Sequence, residues 1–214
     1  MSQTQGSDQS LVISYLLLRK LVGLLGVALP FVLAIGAAII SQLDIQPSIS
    51  DYYHTVMRDM FVGILFAIAI FMLSYRGYEP VDDRAGDIAC ISAIGVALFP
   101  VAPLGATPGQ EVIGTLHFIS ASLFFLTLAY FSLVLFTKTK PSVPPTPRKL
   151  QRNRVYRACG WIILACLAAI FLVGQLMSVP LKQVGIVFWL ESVAVIAFGI
   201  SWLTKGEAIL ADQA

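Results

Sequence analysis

Residues 21–40 read LVGLLGVALPFVLAIGAAII, an unbroken apolar run with no ionisable side chain. An α-helix rises about 1.5 Å per residue, so a run of this length spans roughly the 30 Å hydrocarbon core of a bilayer. The run therefore predicts a helix that crosses a membrane. Just before it, residues 11–18 are also apolar and are followed by the basic pair Arg19 and Lys20. That stretch either extends the first helix or lies in the membrane interface.

Five further apolar runs predict five further helices: Met60–Tyr75, Ile88–Val101, Val112–Phe136, Gly160–Ser178 and Val184–Leu203. Together with the first run they indicate an all-α fold, a polytopic membrane bundle of about six transmembrane helices. The third run is short and ends in FPVAPLG (residues 99–105), where Pro100 and Pro103 stop a helix. A re-entrant or buried segment is the alternative for that run.

Composition also favours a membrane protein. Hydrophobic residues make up 57% of the chain and charged residues 12%, whereas about 25% charged residues is usual in soluble domains. A water-soluble chain of this composition would expose large apolar patches. The net charge of +2 does not favour nucleic acid as a partner. The three cysteines lie in apolar runs without a CxxC spacing, which is typical of small packing residues.

The basic residues predict an orientation, because cytoplasmic loops of membrane proteins carry an excess of Lys and Arg. With both termini in the cytoplasm, 12 of the 14 Lys and Arg residues fall on the cytoplasmic side, and only Arg58 and Lys182 lie outside. The predicted organisation is a cytoplasmic or interfacial segment 1–20, a six-helix domain 21–203 with a basic, Pro-rich cytoplasmic loop 138–157, and a cytoplasmic tail 204–214. We expect a multi-pass protein of a bacterial plasma (inner) membrane.

The scarce ionisable side chains gather at one membrane depth, near the outer face. The loop after the first span, QLDIQPSISDYYHTVMRDM (residues 42–60), is rich in them. By helix rise, His117 lies about 7 Å inside a fourth span that starts near Val112, and Glu191 lies roughly 10 Å inside a sixth span that starts near Val184. Ionisable groups at such depths usually face the protein interior and mark function. Asp51, His117 and Glu191 are therefore the first-choice ligand-binding residues, and a second group completes the predicted site: Ser50, His54, Arg58, Asp59 and Ser120.

Structural interpretations of the same residues stay open beside the functional one. Glu191 can hydrogen-bond a neighbouring helix, and His117 can be an interior histidine with satisfied nitrogens. Arg58 and Asp59 can cap the second helix and pair at the interface.

Three segments together resemble a known family: PSISDYYHTVMRDMFVG (residues 47–63), GTLHFISASLFF (114–125) and LESVAVIAFGISWLTKG (190–206). They are similar to the DRAM/Frag/Sfk superfamily of six-helix membrane proteins, which has many uncharacterised bacterial relatives. On this resemblance the polar positions of the family correspond to Ser48, Ser50, Asp51, His117 and Glu191. The resemblance implies membrane residence and a link to lipid handling, and it supplies no established catalytic mechanism.

The first functional hypothesis is binding of a lipid or amphiphile headgroup in an outward-facing polar pocket. Arg58 would meet a phosphate, and Asp51, His117 and Glu191 would orient hydroxyl or amine groups. Membrane lipids are then the partners, no cofactor is needed, and a demonstrable enzyme activity is not expected. The oligomeric state is left open.

Two alternatives remain beside it. A zinc-dependent intramembrane hydrolase would use Asp51, His54, His117 and Glu191 as ligands and activate a water at an open position. The chain has only 2 histidines and no HExxH sequence, however. A proton- or cation-coupled transporter would use Glu191 and His117 as a relay. Serine-hydrolase and nucleotide-binding motifs, namely GxSxG, GxGxxG and GxxxxGK[ST], are absent from the sequence.

Overall fold

A computed structural model describes residues 3–77, 79–139, 144–176 and 185–211. Within these ranges the chain forms six α-helices, one short 3₁₀ helix and one π-helical turn, and it contains no strand. The α-helices are α1 (Gln3–Ser41), α2 (Arg58–Leu73), α3 (Pro80–Leu98), α4 (Pro108–Tyr130), α5 (Pro147–Leu176) and α6 (Ile186–Lys205). The 3₁₀ helix is Ser50–His54, and the π-helical turn Phe131–Leu135 continues α4. The predicted all-α class is confirmed.

The six helices form a closed ring in chain order. Each helix packs against the next one in the sequence, and α6 returns to pack against α1. Four apolar helical segments are long enough to cross a membrane: Tyr15–Ser41, Pro108–Leu135, Pro147–Gln175 and Ile186–Lys205. The structure is therefore that of a helical membrane bundle with at least these four candidate spans.

Two opposite ends of the ring can be distinguished by the contacts made there. At one end, which we call the basic end, three polar contacts connect residues that lie in or beside each of the six helices: Tyr15–Arg76 (2.6 Å), Glu79–Lys138 (2.8 Å) and Arg152–Glu207 (3.6 Å). At the other end, which we call the cavity end, the segments 46–57 and 99–104 meet the first turns of α4 and α6. Consecutive helices therefore run in opposite directions.

Two helix starts differ from the sequence prediction. The basic loop predicted over 138–157 is wrong in its second half, because α5 begins at Pro147, where Thr146 Oγ1 accepts a hydrogen bond from the backbone N–H of Lys149 (3.1 Å). Similarly, α3 begins at Pro80 rather than near Ile88, and Glu79 and Asp82 cap its first turn. Hydropathy locates only the apolar part of a helix, whereas capping residues set where the helix begins.

The first helix is longer than the predicted span. The apolar stretch 11–18 continues the same helix, so α1 runs from Gln3 to Ser41 without a break. Of the two alternatives for that stretch, extension of the first helix is the one observed.

The closure of the ring depends on a close approach between α1 and α6. A Cβ atom added to Gly199 would lie 2.6 Å from the carbonyl oxygen of Gly23 and 2.6 Å from a methyl carbon of Val27. Small residues allow this approach, as they do in many membrane helix pairs. A buried hydrogen bond also joins the continuation of α4 to α6. The hydroxyl of Ser132 donates to that of Ser201 at 2.9 Å, and both residues are fully buried.

We expect Gly199→Ala to destabilise the bundle, because the added methyl group meets backbone atoms that cannot move aside. Overpacking of this kind costs about 1–3 kcal/mol. Gly63→Ala is the matched control, since a Cβ atom added there meets nothing within 4 Å. Thermal unfolding of the two variants in detergent measures the difference, and equal melting temperatures would contradict the close approach of α1 and α6.

Candidate functional site

A cavity of about 740 Å³ lies at the cavity end of the bundle. Its walls come from the segments 46–55 and 101–104 and from α4, α5 and α6. One wall is polar and contains Ser50, Asp51, His117 and Glu191. The rest is mostly apolar, and its larger side chains are Phe118, Phe125, Leu167, Ile170 and Val187. The cavity therefore has the two-sided chemistry that an amphiphile would need.

The segment between α1 and α2 folds back onto the bundle to form the polar wall. Its backbone docks on the start of α6, where the N–H of Phe188 donates to the carbonyl oxygen of Pro47 (2.9 Å). This contact satisfies one of the N–H groups that the first turn of a helix leaves unpaired. Tyr52 anchors the segment, because its ring is fully buried and packs against the ring of Phe188 at 6.1 Å. Burial raises the pKa of the Tyr52 phenol, so this group stays neutral.

Glu191 fastens this segment to α6. Its Oε2 accepts a hydrogen bond of 2.6 Å from the backbone N–H of Ile49, the residue before the 3₁₀ helix. The backbone N–H of Ser50 also lies close enough to interact favourably with this carboxyl group. The side chain therefore caps the 3₁₀ helix, which leaves its first N–H groups without partners inside the helix.

His117 joins three parts of the chain. Its Nδ1 lies 2.6 Å from the carbonyl oxygen of Phe99, and its Nε2 lies 3.0 Å from Oγ of Ser50. A carbonyl oxygen only accepts hydrogen bonds, so Nδ1 carries a proton, and in the neutral ring Nε2 accepts from the Ser50 hydroxyl. The side chain is only 6% exposed. His117 thus holds α4, the end of α3 and the 3₁₀ helix in one arrangement.

Asp51 lines the same cavity as these two residues. The Asp51 carboxylate accepts a hydrogen bond from the Ser48 hydroxyl (2.7 Å). The Asp51 backbone N–H in turn donates to the oxygen of that hydroxyl (3.1 Å). Asp51 is close enough to interact electrostatically with both His117 and Glu191. The structure therefore brings together the three first-choice residues of the sequence prediction, with Ser50 beside them.

The other four predicted site residues lie elsewhere or only at the rim. His54 is exposed at the edge of the cavity, where its Nε2 donates to the carbonyl oxygen of Val101 (2.9 Å). Three residues do not line the cavity: Arg58, Asp59 and Ser120.

Arg58 and Ser120 make other contacts instead. Arg58 is exposed, and its guanidinium stacks on the ring of Tyr53 and donates to its hydroxyl (2.8 Å). Ser120 donates to the carbonyl oxygen of Leu116 in its own helix (2.8 Å) and lies against Gly95 of α3. Arg58 is therefore not placed to meet a phosphate inside this cavity, because it does not line the cavity and is engaged with Tyr53.

The zinc alternative receives no geometric support. Over the described ranges, no three or more His, Cys, Asp and Glu side chains are grouped so that they could hold a metal ion. The candidate ligands Asp51, His54, His117 and Glu191 thus do not form such a group. In addition, both ring nitrogens of His117 are already engaged.

Sequence reasoning missed the main-chain acceptors of this site. The carbonyl oxygen of Phe99 accepts a hydrogen bond from the His117 ring, and that of Val101 accepts one from the His54 ring. A signal for them was present, because the last carbonyl groups of a helix lack partners within it and Pro100 cannot continue α3. It also missed the contribution of α5, whose Leu167 and Ile170 are ordinary apolar residues in the sequence.

Comparison with known proteins finds no match, whether among protein-family models, curated proteins or solved structures. The resemblance to the DRAM/Frag/Sfk superfamily therefore stays a prediction from three short segments.

The two histidines should differ sharply in their effect on stability. His117→Ala leaves the Phe99 carbonyl oxygen without its donor in a buried place, which costs about 1–3 kcal/mol. His54→Ala removes an exposed ring, and substitutions at exposed positions usually change stability by within about 0.5 kcal/mol. Thermal unfolding gives the first comparison. Amide hydrogen exchange of residues 46–55 gives the second, since faster exchange is expected only for His117→Ala. Equal behaviour of both variants would show that His117 does not hold this segment.

Proposed function

We propose that this chain is a six-span protein of a bacterial plasma membrane that binds the headgroup of a lipid or other amphiphile at its outer face. The observation that carries the proposal is the cavity itself. It places carboxyl and imidazole groups on one wall and apolar side chains on the others, at one end of the helix bundle. Ligand sites of this kind commonly have volumes of about 300–1,000 Å³, and the cavity falls in that range.

Six spans are supported by how far α2 and α3 reach. The turn between them contacts the basic end, where Tyr15 donates to the carbonyl oxygen of Arg76 (2.6 Å) and Lys138 pairs with Glu79 (2.8 Å). Their other ends lie beside the cavity. The pair therefore runs the whole length of the bundle and back, between two helices that are long enough to cross a membrane. Large apolar side chains are exposed on its outer surface, as lipid contact requires: Ile70, Leu73, Ile91 and Leu98.

The orientation is supported by the charge difference between the two ends. Lys and Arg residues concentrate at the basic end, which the positive-inside rule places in the cytoplasm. The cavity then opens near the outer leaflet, where lipid headgroups lie. Both termini are cytoplasmic on this assignment.

The lining favours a headgroup that donates hydrogen bonds or carries positive charge. Asp51 and Glu191 present carboxyl oxygens, and no Lys or Arg side chain lines the cavity in the part of the chain described. A phosphate placed there would meet acidic groups without a compensating cation, which is unfavourable at low local dielectric. An amine or a polyol attached to an acyl or alkyl chain suits both walls.

A cysteine-labelling experiment tests the orientation. The native cysteines are buried, so a membrane-impermeant maleimide should label them poorly. We expect Asp44→Cys to be labelled in intact cells, because Asp44 is exposed at the cavity end. Arg148→Cys, at the basic end, should be labelled only after the membrane is permeabilised. The reverse pattern would overturn the orientation, and labelling of both from outside would overturn the six-span topology.

A binding experiment tests the ligand class. Purified protein in maltoside detergent is titrated with dodecylamine and, separately, with dodecyl sulfate, and the bound amphiphile is counted by native mass spectrometry. We expect the amine to bind at least about tenfold more tightly, since a charge-assisted hydrogen bond contributes about 1.5–3 kcal/mol.

Two Asp→Asn variants at the same end of the bundle provide the matched comparison. Asp51→Asn should lose most of the preference for the amine, because Asp51 lines the cavity. Asp59→Asn should keep it, because Asp59 is exposed outside the cavity. Equal binding of amine and sulfate by the unchanged protein would reject the proposed headgroup class.

A further inference from the structure

The cavity extends from its polar wall into the space between α4 and α5. On α4 its lining residues recur every three or four positions, so they form one stripe along that helix: Gly114, His117, Phe118, Ala121, Ser122 and Phe125. On α5 the lining residues are Leu167 and Ile170. The stripe on α4 is about 16 Å long at the rise of an α-helix, which is about half the thickness of the hydrocarbon core of a bilayer. The cavity therefore reaches well along two of the candidate spans.

These two helices pack closely in the halves that lie nearer the basic end. A Cβ atom added to Gly160 of α5 would overlap the side chain of Leu133, which belongs to the continuation of α4. The rings of Phe136 and Tyr156 also pack together there, with their centroids 5.4 Å apart. Contacts of this kind leave no space between α4 and α5 at the basic end.

Towards the cavity end the same two helices have few buried residues. Among residues 108–123 of α4, only His117 is buried, and no residue of α5 between 167 and 175 is buried. Phe118 lines the cavity and is nevertheless 52% exposed. A side chain with both properties lies on the rim of an opening. The cavity therefore opens sideways through a gap that we call the side cleft and define by six residues: Phe118, Ala121, Ser122, Phe125, Leu167 and Ile170.

The side cleft is apolar, and so is the surface around it. None of its six residues is ionisable, and Ser122 is the only one with a polar side chain. The residues that follow Ser122 and Ile170 in the sequence, Leu123 and Phe171, are large, apolar and exposed. Membrane helices present such surfaces to lipid. On the six-span arrangement and the orientation proposed above, the side cleft faces the acyl chains of the outer leaflet.

An alkyl chain is the occupant that suits these surroundings. An empty apolar space forfeits packing contacts along its whole lining, so a cleft that faces hydrocarbon is filled by hydrocarbon. The side cleft is also continuous with the polar wall, because Ala121 lies one helical turn from His117 on the same stripe of α4. A chain that lies in the side cleft therefore ends beside the imidazole and carboxyl groups.

We propose that the side cleft binds the alkyl chain of the amphiphile, and that this ligand enters the cavity from the membrane, sideways between α4 and α5. The inference rests on the proposed function for the position of the headgroup, and it narrows the class of ligand. The ligand is an amphiphile that resides in the bilayer, and a water-soluble amine or polyol without a chain is not sufficient. Its headgroup lies at the polar wall, and its chain follows α4 towards Phe125.

Photocrosslinking in phosphatidylcholine vesicles tests the side cleft. The probe is dodecylamine with a diazirine at the end of its chain, and an excess of unlabelled dodecylamine separates specific crosslinks from general lipid contact. We expect the crosslinks that dodecylamine suppresses to map to residues 121–125 of α4 and 167–170 of α5. Suppressible crosslinks confined to other helix surfaces, or none at all, overturn the proposal.

Two adjacent substitutions on α4 provide the matched comparison. Ser122→Trp places an indole ring in the side cleft, and its overlap with the chain should lower the yield of suppressible crosslinks at least about fivefold. Leu123→Trp places the same ring on the exposed side of α4 and should leave the yield unchanged. Leu167→Trp and Ala168→Trp form the same pair on α5 if Ser122→Trp does not fold, since Ala168 is exposed outside the side cleft. Equal yields within the pair contradict the proposal.

Asp51→Asn separates this inference from the proposed headgroup site. A lower yield in both Asp51→Asn and Ser122→Trp supports the headgroup site and the side cleft together. A loss in Ser122→Trp alone supports the side cleft and rejects the role of Asp51 in binding the headgroup. A loss in Asp51→Asn alone keeps the headgroup site and overturns the side cleft.

Discussion

The hydrogen bond from the Ile49 backbone N–H to the Glu191 carboxyl group fixes a non-helical segment onto the end of a membrane bundle. Near a bilayer, backbone groups outside a helix have to find partners within the protein, because lipid offers none. Glu191 accepts a hydrogen bond from the backbone N–H at the start of the 3₁₀ helix. His117 donates to the carbonyl oxygen at the end of α3 and accepts from the Ser50 hydroxyl. The same two side chains form part of the polar wall of the cavity. Under the proposed function, structural support and ligand recognition would depend on the same atoms, and a ligand that displaced them would also loosen the segment 46–55.

The two ends of the bundle carry opposite chemistry. Acidic and imidazole groups line the cavity at one end, whereas basic side chains gather at the other, where Lys138 pairs with Glu79 and Arg152 with Glu207. Between the polar groups of the two ends lies a tightly packed interior, in which the rings of Tyr75, Phe131, Phe136 and Trp202 contact one another near the basic end. Such a core is close-packed and resists rearrangement.

Several features of the fold were predictable from particular residues. The run 21–40 predicted a helix long enough to cross a membrane from its length and apolarity alone, and the depth of His117 and Glu191 predicted that both lie at one level of the bundle, where both line the cavity. The start of α5 was not predictable in this way, because residues 147–157 are basic and hydropathy does not register a polar helical turn. The sequence also did not predict that Arg58, Asp59 and Ser120 lie outside the cavity. The rotation of a helix decides which side chains face a cavity, and it is set by packing against neighbouring helices rather than by the sequence of the helix itself.

The sequence alone determined that this chain is helical, apolar enough for a membrane, and strongly asymmetric in its distribution of basic residues. These properties follow from local composition, because each residue contributes to them whichever residues it contacts in the folded protein. Only the tertiary structure decided that Asp51, His117 and Glu191 line one cavity and that Arg58 does not line it. Those outcomes depend on distances between residues far apart in the chain, such as the 142 positions between Ile49 and Glu191, and helix packing sets such distances.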